Sequence, residues 1–210
     1  PPRIHDPLVA LLARLLRPGD RIVMGQACGE PTTLVEALIA QGKDIGGLSA
    51  FIATSFSGLF TPGTAASFAL SSMGAIGALR GMTKAGKLAV IPAHVSQIGP
   101  MITAGIIGCD VAFIQVSPAD ENGNHSCGLI SDHVRAAVDR ARVVIAEVNE
   151  QVPHTPGETI PAASIDVAVQ VSRAPVEVPA GRISETDQAI ARHCAAYIGD
   201  GSVIQTGVGA

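Results

Sequence analysis

The segment Asp-Val-Ala-Phe-Ile-Gln-Val, residues 110–116, decides the fold. Aliphatic side chains fill both faces of this segment, which is typical of a strand buried on both sides of a parallel sheet. A polar loop, residues 117–128, follows directly. Similar short aliphatic segments recur along the chain and alternate with helical patterns. We therefore predict an α/β fold with a parallel or mostly parallel sheet flanked by helices.

Aliphatic segments and helical patterns predict the remaining strands and helices. Further strands are predicted at 21–24, 48–55, 88–91, 143–147 and 165–171. Helices are predicted at 6–16, 31–41, 96–104, 131–140 and 184–198. Ser131 is expected to cap the fourth helix, and Ser184 to Asp187 form a capping box for the last. The glycine-rich stretch 57–81 is predicted to hold one short helix and a loop.

Composition excludes several classes of partner. The 210 residues carry a formal net charge of -4 without a basic block, so no nucleic-acid surface is expected. Two stretches without Asp, Glu, Lys or Arg, 57–79 and 88–108, are broken by prolines. They indicate a buried core rather than a membrane span. The four cysteines lack a CxxC spacing and read as free thiols, so we expect a cytoplasmic protein.

In a parallel sheet, functional groups gather in the loops at the carboxyl ends of the strands. Four loops qualify here: 25–30, 117–128, 149–157 and 206–210. Glu147 ends a predicted strand, so its side chain is a candidate for the cleft. No two carboxylates are spaced for general acid/base chemistry.

The loop 117–128 admits several interpretations. Asp120, His125, Cys127 and His133 are a conceivable metal-ligand set, but their spacing is unlike that of metal sites, and no metal is expected. Cys127 with a nearby histidine is a conceivable nucleophile. A turn at Asn122-Gly123 capped by Asp120 is the simplest interpretation. We favour a rigid loop that forms the floor of a ligand cleft.

The end of the chain repeats a pattern seen near its start. The pattern is Gly-Asp followed by a short strand and then by a Gln beside a Gly. It occurs at 19–26 and again at 199–207. This hints at an internal duplication. We expect an amino-terminal α/β domain over 1–198 and the start of a second, similar domain over 199–210, with its first strand at 203–205. Gly207-x-Gly209 after that strand resembles a phosphate-binding turn, which is weak evidence alone.

The sequence resembles the acetyl-CoA hydrolase/transferase family. The matching stretches are Pro-Gly-Asp-Arg-Ile-Val at 18–23, Gly-Glu-Pro at 29–31, residues 110–118 with Asp-Glu-Asn-Gly at 120–123, Ala-Glu-Val-Asn at 146–149, Pro-His-Thr-Pro-Gly at 153–157 and Ile-Gln-Thr-Gly-Val-Gly-Ala at 204–210. They cover nearly the whole chain in order, and they fit only the amino-terminal half of the family's members.

The resemblance implies two similar α/β domains and a glutamyl thioester mechanism, in which CoA moves from an acyl-CoA to a free carboxylate, or the acyl-CoA is hydrolysed. The family's catalytic glutamate lies beyond residue 210, so no catalytic residue is assigned here and the chain alone is expected to be inactive. The residues implied at the CoA and acyl site are Gln205, Gly207, Val208, Gly209 and Ala210.

The resemblance and the loop positions together give a candidate substrate cleft. Its residues are Gln26, Ser117, Pro118, Asn149 and His154. His154 stands where many members carry Arg, which puts carboxylate recognition by that loop in doubt. Expected partners are an acyl-CoA, a small carboxylate, a carboxy-terminal domain and further copies of the protein. No permanently bound cofactor is expected.

Two other hypotheses remain open from the sequence. One is a non-catalytic α/β domain that binds a ligand or partner, since no nucleophile is found. The other is a sugar-phosphate isomerase or a related α/β enzyme, which would need its own acid, base and phosphate-binding groups within these residues.

Overall fold

Seven strands of the first of two compact units form one parallel sheet. A computed structural model of the protein describes residues 5–178 and 181–205. The chain divides into units Pro1–Val178 and Pro179–Ala210. The strands of this sheet are β1 (Arg21–Met24), β2 (Ser49–Phe51), β3 (Ala69–Ser72), β4 (Leu88–Val90), β5 (Val111–Val116), β7 (Val143–Asn149) and β9 (Val167–Val171). Their order is β4-β3-β2-β1-β5-β7-β9, and every neighbouring pair is parallel.

Helices cover both faces of this sheet. The helices of this unit are α1 (His5–Leu15), α2 (Thr32–Ile45), α3 (Leu79–Lys84), α4 (Val95–Thr103) and α5 (Val134–Arg140). Buried residues of α1, α2 and α3 pack on one face, in a core that includes Phe113 and Ile145. Buried residues of α4 and α5 pack on the other face, against Ala112 and Ile114. The predicted α/β class is confirmed.

Strand β5 is buried along its whole length, as its sequence predicts. Alternate side chains enter the two cores, since successive residues of a strand point to opposite faces. It pairs with β7 from Val111 beside Val143 to Val116 beside Val148.

At the amino end of β5, Asp110 binds the Arg21 guanidinium at 2.7 and 2.9 Å, which lowers the pKa of that carboxyl to about 2.

Several short elements differ from the prediction. Strand β3 lies within 57–81, and a two-stranded antiparallel pair, β6 (Asn124–Ser126) and β8 (Thr159–Pro161), lies outside the predicted strands. Strands of three or four residues are too short to show a period, so only their partners define them. Strand β2 ends at Phe51, before the predicted Ser55.

Helix α5 begins later than predicted. Its first residue is Val134, whose N–H donates to the carbonyl of Ser131 at 2.8 Å. Asp132 lies between them with φ of 32°, a left-handed backbone that a helix cannot include. Ser131 therefore starts a turn and does not cap the helix.

The second unit contains helix α6 (Glu185–Ala195). The predicted capping box is confirmed, because the Ser184 and Asp187 side chains each bind the other's backbone N–H. Ile190, Cys194 and Tyr197 recur at helical spacing, which is typical of a buried helix face, but all three are exposed. The predicted strand at 203–205 is also absent, since residues 202–205 have no regular secondary structure. A strand requires a neighbouring strand, which a sequence pattern does not reveal.

Within residues 5–178 and 181–205, no helix combines the length and the apolar character needed to cross a membrane.

Candidate functional site

The strand order creates a crevice between the loops that follow β1 and β5. From β1 the sheet continues through β2 and β3 to β4, and from β5 it continues the opposite way to β9. At such a switch point the two adjacent loops leave in opposite directions, and ligands bind between them at the carboxyl ends of the strands. The loops 25–30 and 117–128 thus flank the best-placed cleft in this unit.

The turn after β1 has an unusual backbone. Ala27 has φ of 49°, a left-handed conformation that a residue with a Cβ adopts only when its surroundings hold it. Its N–H donates to the Thr54 carbonyl at 2.9 Å, and the N–H of Gly25 donates to the Phe113 carbonyl at 2.9 Å. A Cβ at Gly25 would collide with the carbonyl of Gly29. The turn is therefore fixed by β5 and by the segment that follows β2.

A second left-handed residue lies opposite this turn. The Gln26 amide donates to the carboxylate of Asp132, the residue with φ of 32°. The next residue, His133, is buried, and its Nε2 lies 2.9 Å from the Met24 carbonyl. Burial lowers the pKa of His133 and so favours the neutral ring, in which Nε2 donates to that carbonyl. The start of α5 is thereby tied to the end of β1.

Amide side chains connect three loops beneath the turn. Gln115 donates to the Cys28 carbonyl at 3.0 Å, and Asn149 donates to the side-chain oxygen of Gln115 at 3.1 Å. Asn149 also holds the backbone of Arg173, whose carbonyl accepts at 2.8 Å and whose N–H donates at 3.2 Å. The loops after β1, β7 and β9 are thus joined through buried side chains.

Glu147 does not reach the cleft, contrary to the expectation from its place in the sequence. It is fully buried, and its Oε2 accepts from the N–H groups of Thr33 and Leu34 at 2.8 and 3.3 Å. These donors belong to the first turn of α2, where backbone N–H groups lack partners within the helix. Burial raises the pKa of Glu147, and its Oε1 has no hydrogen-bond partner among the described residues.

Glu30 is a second buried carboxylate, four residues after Gln26. It accepts from the hydroxyls of Ser55 and Ser57 at 2.8 and 2.6 Å. Burial raises its pKa, with a smaller contribution of the same sign from Glu147. Glu30 thus joins the turn after β1 to the loop after β2.

The loop 117–128 is rigid and bound to the loop 149–157. Asp120 accepts from the N–H groups of Asn122 and Asn124 at 2.9 and 2.8 Å, so the predicted capped turn is confirmed. Ser126 accepts from the Thr155 N–H at 3.1 Å and donates to the Thr155 carbonyl at 3.1 Å.

The alternative roles considered for this loop find little support. Cys127 is buried, and burial raises the pKa of its thiol to about 11, which disfavours a nucleophilic thiolate at neutral pH. The Nδ1 atom of His125 lies 2.8 Å from the Ser117 carbonyl. Across the part of the chain that the structure describes, His, Cys, Asp and Glu side chains form no group of three that could hold a metal ion.

The structure brings the first three predicted loops together. Gln26, Ser117 and Asn149 are buried, whereas Pro118 and His154 are exposed. Gln26 binds Asp132, Ser117 binds groups within its own loop, and Asn149 links Gln115 to Arg173. Gln205 is exposed in the second unit. The remaining candidates, Gly207, Val208, Gly209 and Ala210, lie outside the described residues.

Arg173, which follows the predicted strand 165–171 and was not a candidate from the sequence, belongs to this site. Its guanidinium donates to the Thr33 hydroxyl at 3.2 Å and to both oxygens of Glu36 at 3.3 Å. A single arginine after a strand carries no sequence signal of such a role. Gln115 and Glu147 do carry one, because each is a polar residue inside an aliphatic strand.

Fold and site define an α/β protein with a cleft at the carboxyl edge of a parallel sheet. Residues 10–178 match the sequence model of the acetyl-CoA hydrolase/transferase N-terminal domain. The chain belongs to that family.

Individual relatives agree with this assignment. The chain is 31% identical to the 4-hydroxybutyrate coenzyme A transferase of Clostridium kluyveri over 194 residues, which is 91% of this chain and 45% of the relative. A succinyl-CoA:cyclohexane-1-carboxylate CoA transferase of Geobacter metallireducens is 25% identical over 94% of this chain and 45% of its own length. The chain spans about half the length of the curated relatives it matches.

Solved structures show the same fold. RipA from Yersinia pestis superposes with a TM-score of 0.86 at 24% identity, over 96% of this chain and half of that one. A 4-hydroxybutyrate CoA-transferase from Porphyromonas gingivalis gives a TM-score of 0.69 at 25% identity, over 92% of this chain and 45% of that one.

Proposed function

We propose that this chain supplies the amino-terminal domain of an enzyme that moves CoA between an acyl-CoA and a free carboxylate. The observation that carries the proposal is the family match over residues 10–178. The relatives from Clostridium kluyveri and Geobacter metallireducens are both CoA transferases, which favours transfer over hydrolysis. Hydrolysis of the acyl-CoA is the alternative, because the family description names both reactions.

The chemistry proposed is nucleophilic catalysis by a glutamate that lies outside these residues. The carboxylate attacks the thioester carbonyl and releases CoA thiolate, leaving a mixed anhydride on the enzyme. The thiolate returns to form a glutamyl-CoA thioester and frees the first acid, and the acceptor carboxylate then completes the exchange. Glu30 and Glu147 are poor candidates for this nucleophile, because both are buried and already accept hydrogen bonds.

The cleft proposed for the substrates is formed by Gln26, Ser117, Pro118, Asn149 and His154. Its support is that the loops 25–30 and 149–157 are joined through Gln115, and the loops 117–128 and 149–157 through Ser126, so the walls are preorganised. The CoA pocket is proposed to include Gln205 and Gly207 to Ala210.

The wider organisation is proposed from the same family. We place the domain boundary at 198/199, with a similar carboxy-terminal domain and assembly into homo-oligomers. The relatives' greater length supports a further domain. A cytoplasmic location is proposed because Cys28, Cys109, Cys127 and Cys194 are all free thiols.

The test is an isotope-exchange assay on the complete gene product. Labelled acetate and a panel of acyl-CoAs should give labelled acetyl-CoA with ping-pong kinetics. Release of free CoA without formation of labelled acetyl-CoA would instead indicate hydrolysis. Neither product, in a folded protein, would refute both activities. The 210-residue chain alone should give no turnover, and turnover by it would refute the placement of the nucleophile outside these residues.

A further inference from the structure

The stretch 88–108 has no Asp, Glu, Lys or Arg, yet most of it lies at the surface. It comprises β4, α4 and the turn that follows α4. Of its 21 residues, only Ile98, Ile102 and Ile107 are buried, and the other 18 are half-buried or exposed. The absence of charge predicts burial, whereas the structure shows an uncharged surface. Depletion of charge is the feature that distinguishes the core of a protein interface from other surface.

Ile106 projects from this surface and is 70% exposed. Gly105 before it has φ of 76°, and the N–H of Ile106 donates to the Met101 carbonyl at 2.9 Å. The N–H of Ile107 donates to the same carbonyl at 3.1 Å, and its side chain is buried. The backbone on both sides of Ile106 is therefore held in place, so a partner that receives this side chain has little chain entropy to overcome.

Two hollows adjoin Ile106. The larger has a volume of about 330 Å³, and the residues that line it besides Ile106 are Pro92, Ala93, Gln97, Pro100, Met101 and Ala104. The smaller, of about 130 Å³, is lined by Ile106 and Ile91 among others. The larger hollow has no charged residue in its lining, so it suits an apolar side chain of a partner.

A projecting side chain and a hollow on one surface make that surface complementary to itself. In a twofold contact both copies present the same residues, so each projecting side chain meets the hollow of the other copy. A charge close to the twofold axis would face its own like charge, which is unfavourable. An uncharged surface avoids this repulsion, whereas a contact with a different protein gains from opposite charges.

We infer that the surface formed by residues 88–108 binds a second copy of this chain about a twofold axis. Ile106 of each copy enters the larger hollow of the other. The inference rests on the proposed function only for the expectation of a homo-oligomer, and it is independent of the reaction.

The extent of this surface suits a dimer. Its 18 accessible residues approach the roughly 20–30 residues that each side of a stable interface contributes. Arg135 and Asp139 of α5 line a neighbouring cavity together with Pro100 and Thr103 of α4. The uncharged surface is thus bordered by charged side chains, as in interfaces with an apolar core and a polar rim.

The contact uses the face of this region and not the edge of the sheet. β4 is the last strand on its side of the sheet, so its outer edge has no partner strand among the described residues. Lys87 and Pro92 flank β4, and both are exposed. Lysine and proline at such positions protect an edge against pairing with another chain.

Sedimentation velocity at micromolar concentrations tests the association. Both the 210-residue chain and the complete gene product should form at least dimers. Monomers of the 210-residue chain would overturn the inference. Dimers of this chain with monomers of the complete gene product would show that the carboxy-terminal domain covers the surface, which would also overturn it.

A pair of matched variants locates the contact. Ile106→Asp would bury an unpaired carboxylate in the interface, so the dissociation constant of the dimer should rise by about 100-fold or more. Ile190→Asp is the control, since Ile190 is 56% exposed on α6 of the other unit. The control should change the constant by less than about twofold. Dissociation by Ile190→Asp but not by Ile106→Asp would assign association to α6 and refute the inference.

A second variant keeps the test decisive if Ile106→Asp lowers the melting temperature. Val95 is exposed and is the first residue of α4, where an aspartate suits the helix N-terminus. Val95→Asp should therefore fold normally and still weaken the dimer. A dimer of unchanged affinity in a folded Val95→Asp variant would refute the contact. The absence of CoA transfer by the unmodified enzyme would refute the proposed function without affecting any of these outcomes.

Discussion

Glu147 is a carboxylate placed where a helix begins. Its Oε2 satisfies two backbone N–H groups of α2, and its Oε1 has no partner among the described residues. Burial disfavours its charged form, whereas the helix N-terminus favours it. Because its pKa is raised, the burial effect is the larger of the two.

Replacing Glu147 separates its hydrogen-bonding role from its charge. Glu147→Ala leaves two buried N–H groups unpaired, so we expect a loss of about 2–3 kcal/mol in the free energy of unfolding. Glu147→Gln keeps an acceptor and should cost less than about 1 kcal/mol. Urea denaturation at pH 7 would measure both. Equal losses in the two variants would contradict the role assigned to the backbone contacts.

The same residue should give the protein a characteristic pH dependence. A carboxyl with a raised pKa keeps its proton longer in the folded state than in the unfolded one. Its contribution to the free energy of unfolding is therefore fully present below about pH 4.3, the pKa of a glutamate in the unfolded chain. That contribution is lost as pH rises through the pKa of the folded state. Glu30 should act in the same direction. The urea concentration at the unfolding midpoint should decrease as pH rises from 4 to 8. The decrease should be smaller for Glu147→Gln than for the unmodified chain.

Single residues explain how much of the site the sequence could reveal. Gln115 and Glu147 interrupt aliphatic strands, so their type and position already indicate a buried polar role. The direction of Glu147 was still predicted wrongly, because β7 continues to Asn149 and α2 covers the residue. Arg173 was missed because its partners, Thr33 and Glu36, are distant in sequence.

At the scale of elements, the turn after β1 depends on a glycine that has no freedom to change. Gly25 lies against the Gly29 carbonyl, whereas Gly81 in α3 has open space around its Cβ position. Gly25→Ala should lower the free energy of unfolding by at least about 2 kcal/mol through backbone displacement. Gly81→Ala should be neutral or stabilising by up to about 1 kcal/mol, since alanine favours a helix. Thermal unfolding of the two variants would check the contrast, and similar melting temperatures would contradict it.

Long elements were predictable, and short ones were not. β5 and the helix after β1 have aliphatic patterns long enough to identify, and both are confirmed. β3, β6 and β8 have three or four residues each, and they exist because a partner strand accepts their hydrogen bonds. The late start of α5 depends on the left-handed Asp132, which is imposed by tertiary contacts.

At the scale of the whole molecule, the four cysteines divide into two classes. Burial raises the pKa of Cys109 to about 12 and that of Cys127 to about 11. Cys28 is half-buried and Cys194 is exposed. Ellman's reagent at pH 8 should titrate two thiols rapidly in the native protein and all four in denaturant. Cys194→Ser should leave one rapid thiol, and a native protein with four rapid thiols would contradict the fold.

The two units should also differ in protection of their backbone. Helix α6 has no buried residue, and isolated helices of its length are marginal in water. Strands β5 and β7 lie in the middle of the sheet. Amide hydrogen exchange should be at least 100-fold faster in α6 than in β5 and β7. Comparable protection would show that α6 is stabilised by contacts that its exposure does not indicate.

The position of β1 has a consequence for synthesis on the ribosome. One edge of β1 pairs with β2, which follows soon after it, and the other pairs with β5, where Ile22 lies beside Val111. A nascent chain therefore carries an unpaired inner strand edge until β5 emerges, a state that is prone to aggregation and suited to chaperone binding. A ribosome paused before Val111 would hold four strands of the sheet and no crevice, because the crevice forms only when the second half of the sheet joins the first.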